Sequence, residues 1–256
     1  MKYDKKISAR LILAILGSCM VVKVYASPLK ILDFNQKQLN AVEQRQICQQ
    51  AKQLCEQPEK WRSLKTPDQR LWLLVKDHIA VFTSSQIGLK LDRQWKISLV
   101  EKNKDVDEQP FIFPKLFPMT QTRYAIAMIS PFSEMYSGGG ANIERASFYE
   151  LLDNGKTNRF ITDYPFSFSR MIRACFSEQD YEQSKGKCHD EDGLSLDIRP
   201  VKPMLWQFHY FYRLEVSPAS DSDEKSYKGS RNLNINLNQA PRQPNIPEQW
   251  NYTGQG

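Results

Sequence analysis

The chain lacks the short local signatures that mark many enzymes. No Gly-x-Ser-x-Gly elbow, His-Glu-x-x-His helix or Gly-x-x-x-x-Gly-Lys phosphate loop occurs in its 256 residues. That counts against an ordinary esterase, a zincin protease and a P-loop nucleotide hydrolase. One Ser-x-x-Lys match, Ser222 to Lys225, falls in a polar run without the rigid surroundings an acylating serine needs. Histidine is scarce. His78, His189 and His209 are the whole supply, so a three-histidine metal site would consume all of them. No mature segment approaches the ~20 apolar residues of a membrane-spanning helix, and the most apolar stretch, Tyr124 to Ser133, is interrupted by Ser130 and Pro131.

A surplus of one charge sign is also missing from the working part of the chain. The formal net charge is +6, but residues 1–26 hold five of the 35 Lys and Arg and one of the 29 Asp and Glu. The remaining 30 against 28 leave +2. A nucleic-acid partner needs a concentrated cationic footprint, so that class is disfavoured. Charged residues at 25% and hydrophobic residues at 41% also exclude collagen-like, coiled-coil and wholly disordered chains.

What is present begins with an export signal. Lys2, Lys5, Lys6 and Arg10 precede an apolar run from Leu11 to Val22, and Val24-Tyr25-Ala26 supplies a peptidase site. The sequence predicts a mature chain from Ser27 in a bacterial periplasm. Leu16-Gly17-Ser18-Cys19 resembles a lipobox, the alternative being an outer-membrane lipoprotein anchored through Cys19. The apolar run continues past Cys19 through Met20 to Val22, which favours the soluble product.

Four mature cysteines remain: Cys48, Cys55, Cys175 and Cys188. An even number in an oxidising compartment reads as two disulfides with three possible connectivities. Cys175 and Cys188 flank a polar, glycine-containing loop that a local bridge would close. An unbroken helix through Cys48 and Cys55 would set their Cα atoms about 10 Å apart, and a disulfide tolerates less than about 7 Å. Either the helix breaks or these cysteines pair with the other two.

Residues 34–57 predict one or two helices. Leu39, Val42, Ile47, Ala51 and Leu54 form the stripe, Asn35 is the cap, Pro58 is the stop, and the Gln-rich face is solvated. Strands follow. Leu71–Val75 and His78–Thr83 read as a hairpin around Lys76-Asp77, and Trp95–Val100 as a further strand. Glu101–Glu108 reads as a loop, and Pro110, Pro114 and Pro118 exclude a central strand there. Tyr124–Ile129 reads as buried on both faces. Ala146–Leu152 and Arg159–Thr162 flank a turn at Asn154-Gly155. Phe166–Phe176, Leu194–Ile198, Leu205–Val216 and the alternating Asn232–Asn238 complete the set, the last as an edge strand. Ser217–Ser230 reads as a loop, and residues 241–256 as a loose tail. The expected fold is mainly β, a β-rich α+β domain over 27–240. It is an antiparallel sandwich or curled sheet with an N-terminal helical element.

Two clusters carry candidate chemistry. Tyr136, Ser137, Gly138, Gly139 and Gly140 follow a buried strand. They offer a close backbone approach or free N–H groups, set against a flexible turn. His189, Asp190, Glu191 and Asp192 follow Cys188 and offer ligands for a cation, set against a solvated acidic loop. Neither cluster matches a known metal or catalytic spacing, and no cofactor or metal is expected. The reading is an exported, non-catalytic envelope protein that binds another envelope protein or an incoming toxin, as an inhibitor or immunity-type protein does. The alternative is a peptidoglycan- or polysaccharide-acting hydrolase using scattered carboxylates or a His189-Asp190 site.

Overall fold

A computed structural model describes residues 28–35, 39–66, 68–98, 109–239 and 243–254. The leader with Cys19 and the expected loop at 101–108 lie outside the described residues. The elements are, in order, β1 (Leu32–Asp33), α1 (Ala41–Gln50), β2 (Arg62–Lys65), β3 (Arg70–Val75), β4 (His78–Ser85), β5 (Gly88–Lys96), β6 (Phe111–Ile112) and β7 (Lys115–Pro118). There follow β8 (Tyr124–Tyr136), β9 (Gly139–Leu151), β10 (Thr157–Arg173), α2 (Glu178–Gln183), β11 (His189–Lys202), β12 (Leu205–Glu215) and β13 (Tyr227–Asn236). The protein is mostly β, and every strand pairing is antiparallel.

A four-stranded sheet runs β2-β3-β4-β5, and a larger one runs β1-β7-β8-β9-β10-β11-β12-β13 with β6 beside β8. They stack as a sandwich at one end of the large sheet. Trp72, Leu74, Ile79, Val81 and Trp95 meet Ile126, Met128, Tyr149 and Leu151 there. The indole rings of Trp72 and Trp95 lie parallel at 5.7 Å. Alternation explains why Ala125 to Ile129 are all buried. Ile126 and Met128 face the small sheet, whereas Ala125, Ala127 and Ile129 face a second core inside the large sheet.

The second core exists because the large sheet curls on itself. Phe117 on β7 and Trp206 on β12 stand five places apart in strand order, yet their rings approach to 5.8 Å. The Trp206 indole N–H donates to the Pro118 carbonyl at 2.8 Å. Bulges in β10 provide the bend, with register shifts between Arg159 and Ser167. The bend joins Arg159–Thr162 and Phe166–Phe176, expected as separate strands, into one 17-residue strand that ends at Arg173. Side chains satisfy the displaced backbone: Ser147 Oγ accepts from the Asp163 amide, and Arg145 donates to the Asp163 carbonyl. The Trp206, Phe208, Tyr210 and Tyr212 face of β12 fills the curl.

Several boundaries differ from expectation, each for a local reason. Asn40, not Asn35, caps α1 in a capping box with Glu43; Asn35 instead pairs with Ser63. Val42 faces solvent. Pro58 opens a short 3-10 turn instead of merely stopping a helix. The helix breaks at Ala51, which brings the Cα atoms of Cys48 and Cys55 to 5.7 Å within a disulfide. Glutamines thought solvated cover the free edge of β5. Gln46 Oε1 accepts from the Leu89 amide, and Gln50 both accepts from the Leu91 amide and donates to the Leu89 carbonyl. That strand starts at Gly88 and ends at Lys96, because its leucines alternate with charged residues and show no apolar run. The proline-rich stretch holds only the short β6 and β7, with Pro118 at a strand end. β13 begins at Tyr227, inside the expected loop. Within the described tail residues, Trp250 is buried in the curl.

Candidate functional site

The curl leaves one end of β8 to β12 projecting beyond the core, and both sequence clusters converge there. Tyr136 pairs with Gly139, so Ser137-Gly138 is a two-residue hairpin turn and Gly139 and Gly140 belong to β9. Next to it, β10 pairs Met171 with Gly140 on one side and with Glu191 on the other. Gly140 and Glu191, 51 positions apart in sequence, therefore flank a single strand. Gly139 is required by this packing, since a Cβ there would collide with the Met171 carbonyl oxygen. Bare backbone at Gly138, Gly139 and Gly140 lines a groove of about 600 Å³.

Tyr136, Ser137, Gly138, Gly139, Gly140, His189, Glu191 and Asp192 all line this groove, and Asp190 does not. The expected acidic loop is instead the start of β11, and alternation sends its side chains apart. Asp190 accepts from the Ser217 amide at 2.7 Å and from the Ser220 hydroxyl at 2.6 Å. Asp192 turns inward to Arg170. The His189-Asp190 pair is thus split between two surroundings. Among the described residues, no three His, Cys, Asp or Glu side chains gather as they would around a metal ion. His78 bonds Asp77 at a hairpin turn, and His209 bonds Asn232 on β13.

Sequence reasoning missed the arginines and methionines. Arg170, Arg173, Arg213, Met135 and Met171 line the groove together with the expected residues. Charged residues on a strand look like an ordinary solvated face, and only the β9–β10–β11 register reveals their neighbours. Arg170 and the buried Asp192 form a two-pronged ion pair, at 2.8 and 2.9 Å, and the Tyr212 hydroxyl donates to Asp192 at 3.0 Å. Burial alone would pull the Arg170 guanidinium down, but its hydrogen bond and charge attraction to Asp192 outweigh this and hold it above its usual range. This pair fixes the groove from beneath. Burial also keeps the Tyr136 hydroxyl above its ordinary pKa, so it stays protonated and donates to the Met171 carbonyl at 3.3 Å.

Beside the groove, the Cys175–Cys188 disulfide closes a loop carrying α2. Ser177 and Asp180 form its capping box. Hydrogen bonds from the Phe176 amide, then from the Ser177 hydroxyl and amide, hold the Asp180 carboxyl below its usual value. The loop presents Phe176, 72% exposed, and Tyr181, 61% exposed. The Arg173 guanidinium lies 5.3 Å over the Phe176 ring and donates to the Cys175 carbonyl. With Met135, 87% exposed on the hairpin, these side chains make a rim of rings, thioethers and guanidinium groups on rigid supports.

Comparison with protein-family models, curated proteins and solved structures finds no match for this chain. Two disulfides imply an oxidising, extracytoplasmic compartment. No helix among the described residues is long and apolar enough to cross a membrane.

Proposed function

We propose that the chain is an exported, non-catalytic periplasmic protein that binds another protein, as an inhibitor or immunity-type protein does. The groove and its disulfide-closed rim are the contact surface. The observation that carries this reading is the rim itself. Met135 and Phe176 are exposed although each is large and apolar, and each stands on a constrained element, a two-residue hairpin and a bridged loop. Aromatic, Met and Arg side chains are the ones enriched at protein interfaces. Rigid presentation lowers the ordering cost of association.

The test is affinity capture from an envelope extract with the mature protein, beside the Met135→Ala/Phe176→Ala variant. The expected result is one partner retained by the parent and lost with the variant, at unchanged melting temperature. A partner retained equally by both proteins would move the contact surface elsewhere. Release of soluble fragments from purified peptidoglycan, abolished by Glu191→Gln, would replace the binding reading with a hydrolase.

A further inference from the structure

The C-terminal segment occupies the open mouth of the curled sheet without joining the sheet. Its backbone hydrogen bonds among the described residues stay within the segment, from Ile246 to Pro244, Trp250 to Pro247 and Asn251 to Glu248. Side chains make the attachment. The Trp250 indole stacks on Tyr212 at 5.4 Å and 9°, and its N–H donates to the Tyr227 hydroxyl at 3.1 Å. Asn251 Oδ1 accepts from Arg145 at 2.9 Å. The Tyr252 ring lies 4.8 Å from the Arg170 guanidinium, and its hydroxyl donates to Glu134.

The receiving surface is shaped for these groups. A Cβ at Gly229 would lie 2.6 Å from the Trp250 ring, so β13 has a glycine where the indole rests. Tyr212 and Phe168 wall the mouth, and Phe168 meets the Tyr252 ring at 5.8 Å. Side-chain recognition of aromatic, amide and aromatic groups in succession, without strand pairing, is one way a protein holds a peptide segment, distinct from addition of a strand to a sheet edge.

We propose that this mouth is a peptide-recognition seat, occupied in cis by the chain's own residues 244–254, and that a partner segment presenting Trp-Asn-Tyr chemistry takes it in trans. The seat is separate from the groove proposed above, although Arg170 contributes to both. Competition with the tethered tail lowers the apparent affinity for an outside segment by the fraction of chains with the seat open. A partner segment must therefore outcompete the tail, which makes the tail a built-in threshold.

The test uses the full chain and a fluorescently labelled peptide with the sequence of residues 243–254. It compares the parent with the Trp250→Ala/Tyr252→Ala variant, which empties the seat. Saturable binding to the variant is expected, at least about tenfold tighter than to the parent. A peptide with both aromatic residues replaced by alanine should not bind, and adding Gly229→Leu to the variant should abolish binding. Trp250→Phe, which keeps a ring but loses the bond to Tyr227, is the second variant and should bind the peptide with intermediate affinity. Absence of peptide binding to both variants overturns the proposal, as does equal binding to parent and variants. Loss of envelope-partner capture in the groove variant has no bearing on these outcomes, so the two readings fail separately.

Discussion

Two disulfides close two short helical segments, and the segments face opposite ways. Cys48–Cys55 fastens the end of α1, where Ile47, Ala51 and Leu54 are buried against the small sheet and two glutamines satisfy the edge of β5. Cys175–Cys188 fastens α2, which buries none of its residues and leaves Phe176 and Tyr181 in solvent. The same covalent device completes a sheet edge in one place and holds side chains ready in the other. Exposed sheet edges invite association and need cover. Exposed rings on a braced loop have no such structural task, which is why the second region and not the first reads as the contact surface.

The sharpest way to break this comparison is to truncate one apolar side chain in each segment. Ile47 is fully buried, so Ile47→Ala should lower stability by about 3 kcal/mol through lost contacts and a residual cavity. Phe176→Ala should stay within about 0.5 kcal/mol in a denaturant melt while weakening partner capture. A large stability loss from Phe176→Ala would make its segment structural too. Replacing each cysteine pair by serine is the next largest effect. Chain entropy predicts similar losses for both bridges, about 2.5 to 3 kcal/mol, because loop length enters only logarithmically. Partner capture then separates them: it should fall only for the Cys175/Cys188 variant, assayed at a temperature where both are folded.

The parts that were legible in sequence are those set by near neighbours. Asn154-Gly155 gave its hairpin, with Gly155 at φ +77°, and Leu233 and Ile235 gave the second half of β13 through alternation. The break at Ala51 was one of two readings that the spacing of Cys48 and Cys55 permitted. What remained hidden depends on register between distant strands. The glycine run and His189 each stood out alone, but nothing local shows that Met171 lies between Gly140 and Glu191. The glutamines of α1 bond to backbone about 40 residues away, and such capping leaves no periodic trace. Trp250 sat in a proline-rich tail whose composition suggested disorder, and its burial rests on a glycine in another strand.

A smaller effect should come from uncovering the edge of β5. Gln50→Ala removes two bonds to that strand, and the loss expected in a thermal melt is about 1 to 2 kcal/mol. The more telling readout is light scattering with rising concentration. Gln46→Ala/Gln50→Ala should associate as the edge amide and carbonyl groups of Leu89 and Leu91 become available, while the rim variants should not. A double variant that stays monomeric at high concentration would mean that the glutamines are not the cover.

The smallest expected effect is a pH response confined to the α2 loop. The Asp180 carboxyl, held below its ordinary value of 3.8 by the Phe176 amide and the Ser177 hydroxyl and amide, is more acidic in the folded loop than in the unfolded chain. Its contribution is therefore fully present above that ordinary value and is lost as pH falls through the lower, folded value. Asp180 is only partly covered, so the change should appear in the loop and leave the global melt almost untouched. Amide exchange at Phe176 and Ser177, followed by NMR from about pH 5 to about pH 2, should show protection disappearing as the carboxyl takes up its proton. At α1 the cap acceptor for the Val42 and Glu43 amides is Asn40, whose amide side chain does not titrate in this range. Protection of those two amides should therefore outlast that of Phe176 and Ser177. Asp180→Asn should remove the acid-dependent step while still accepting from the two loop amides. If protection at Phe176 is already absent at pH 5, the loop is not braced in solution, and the contrast between the two bridged segments loses its second half.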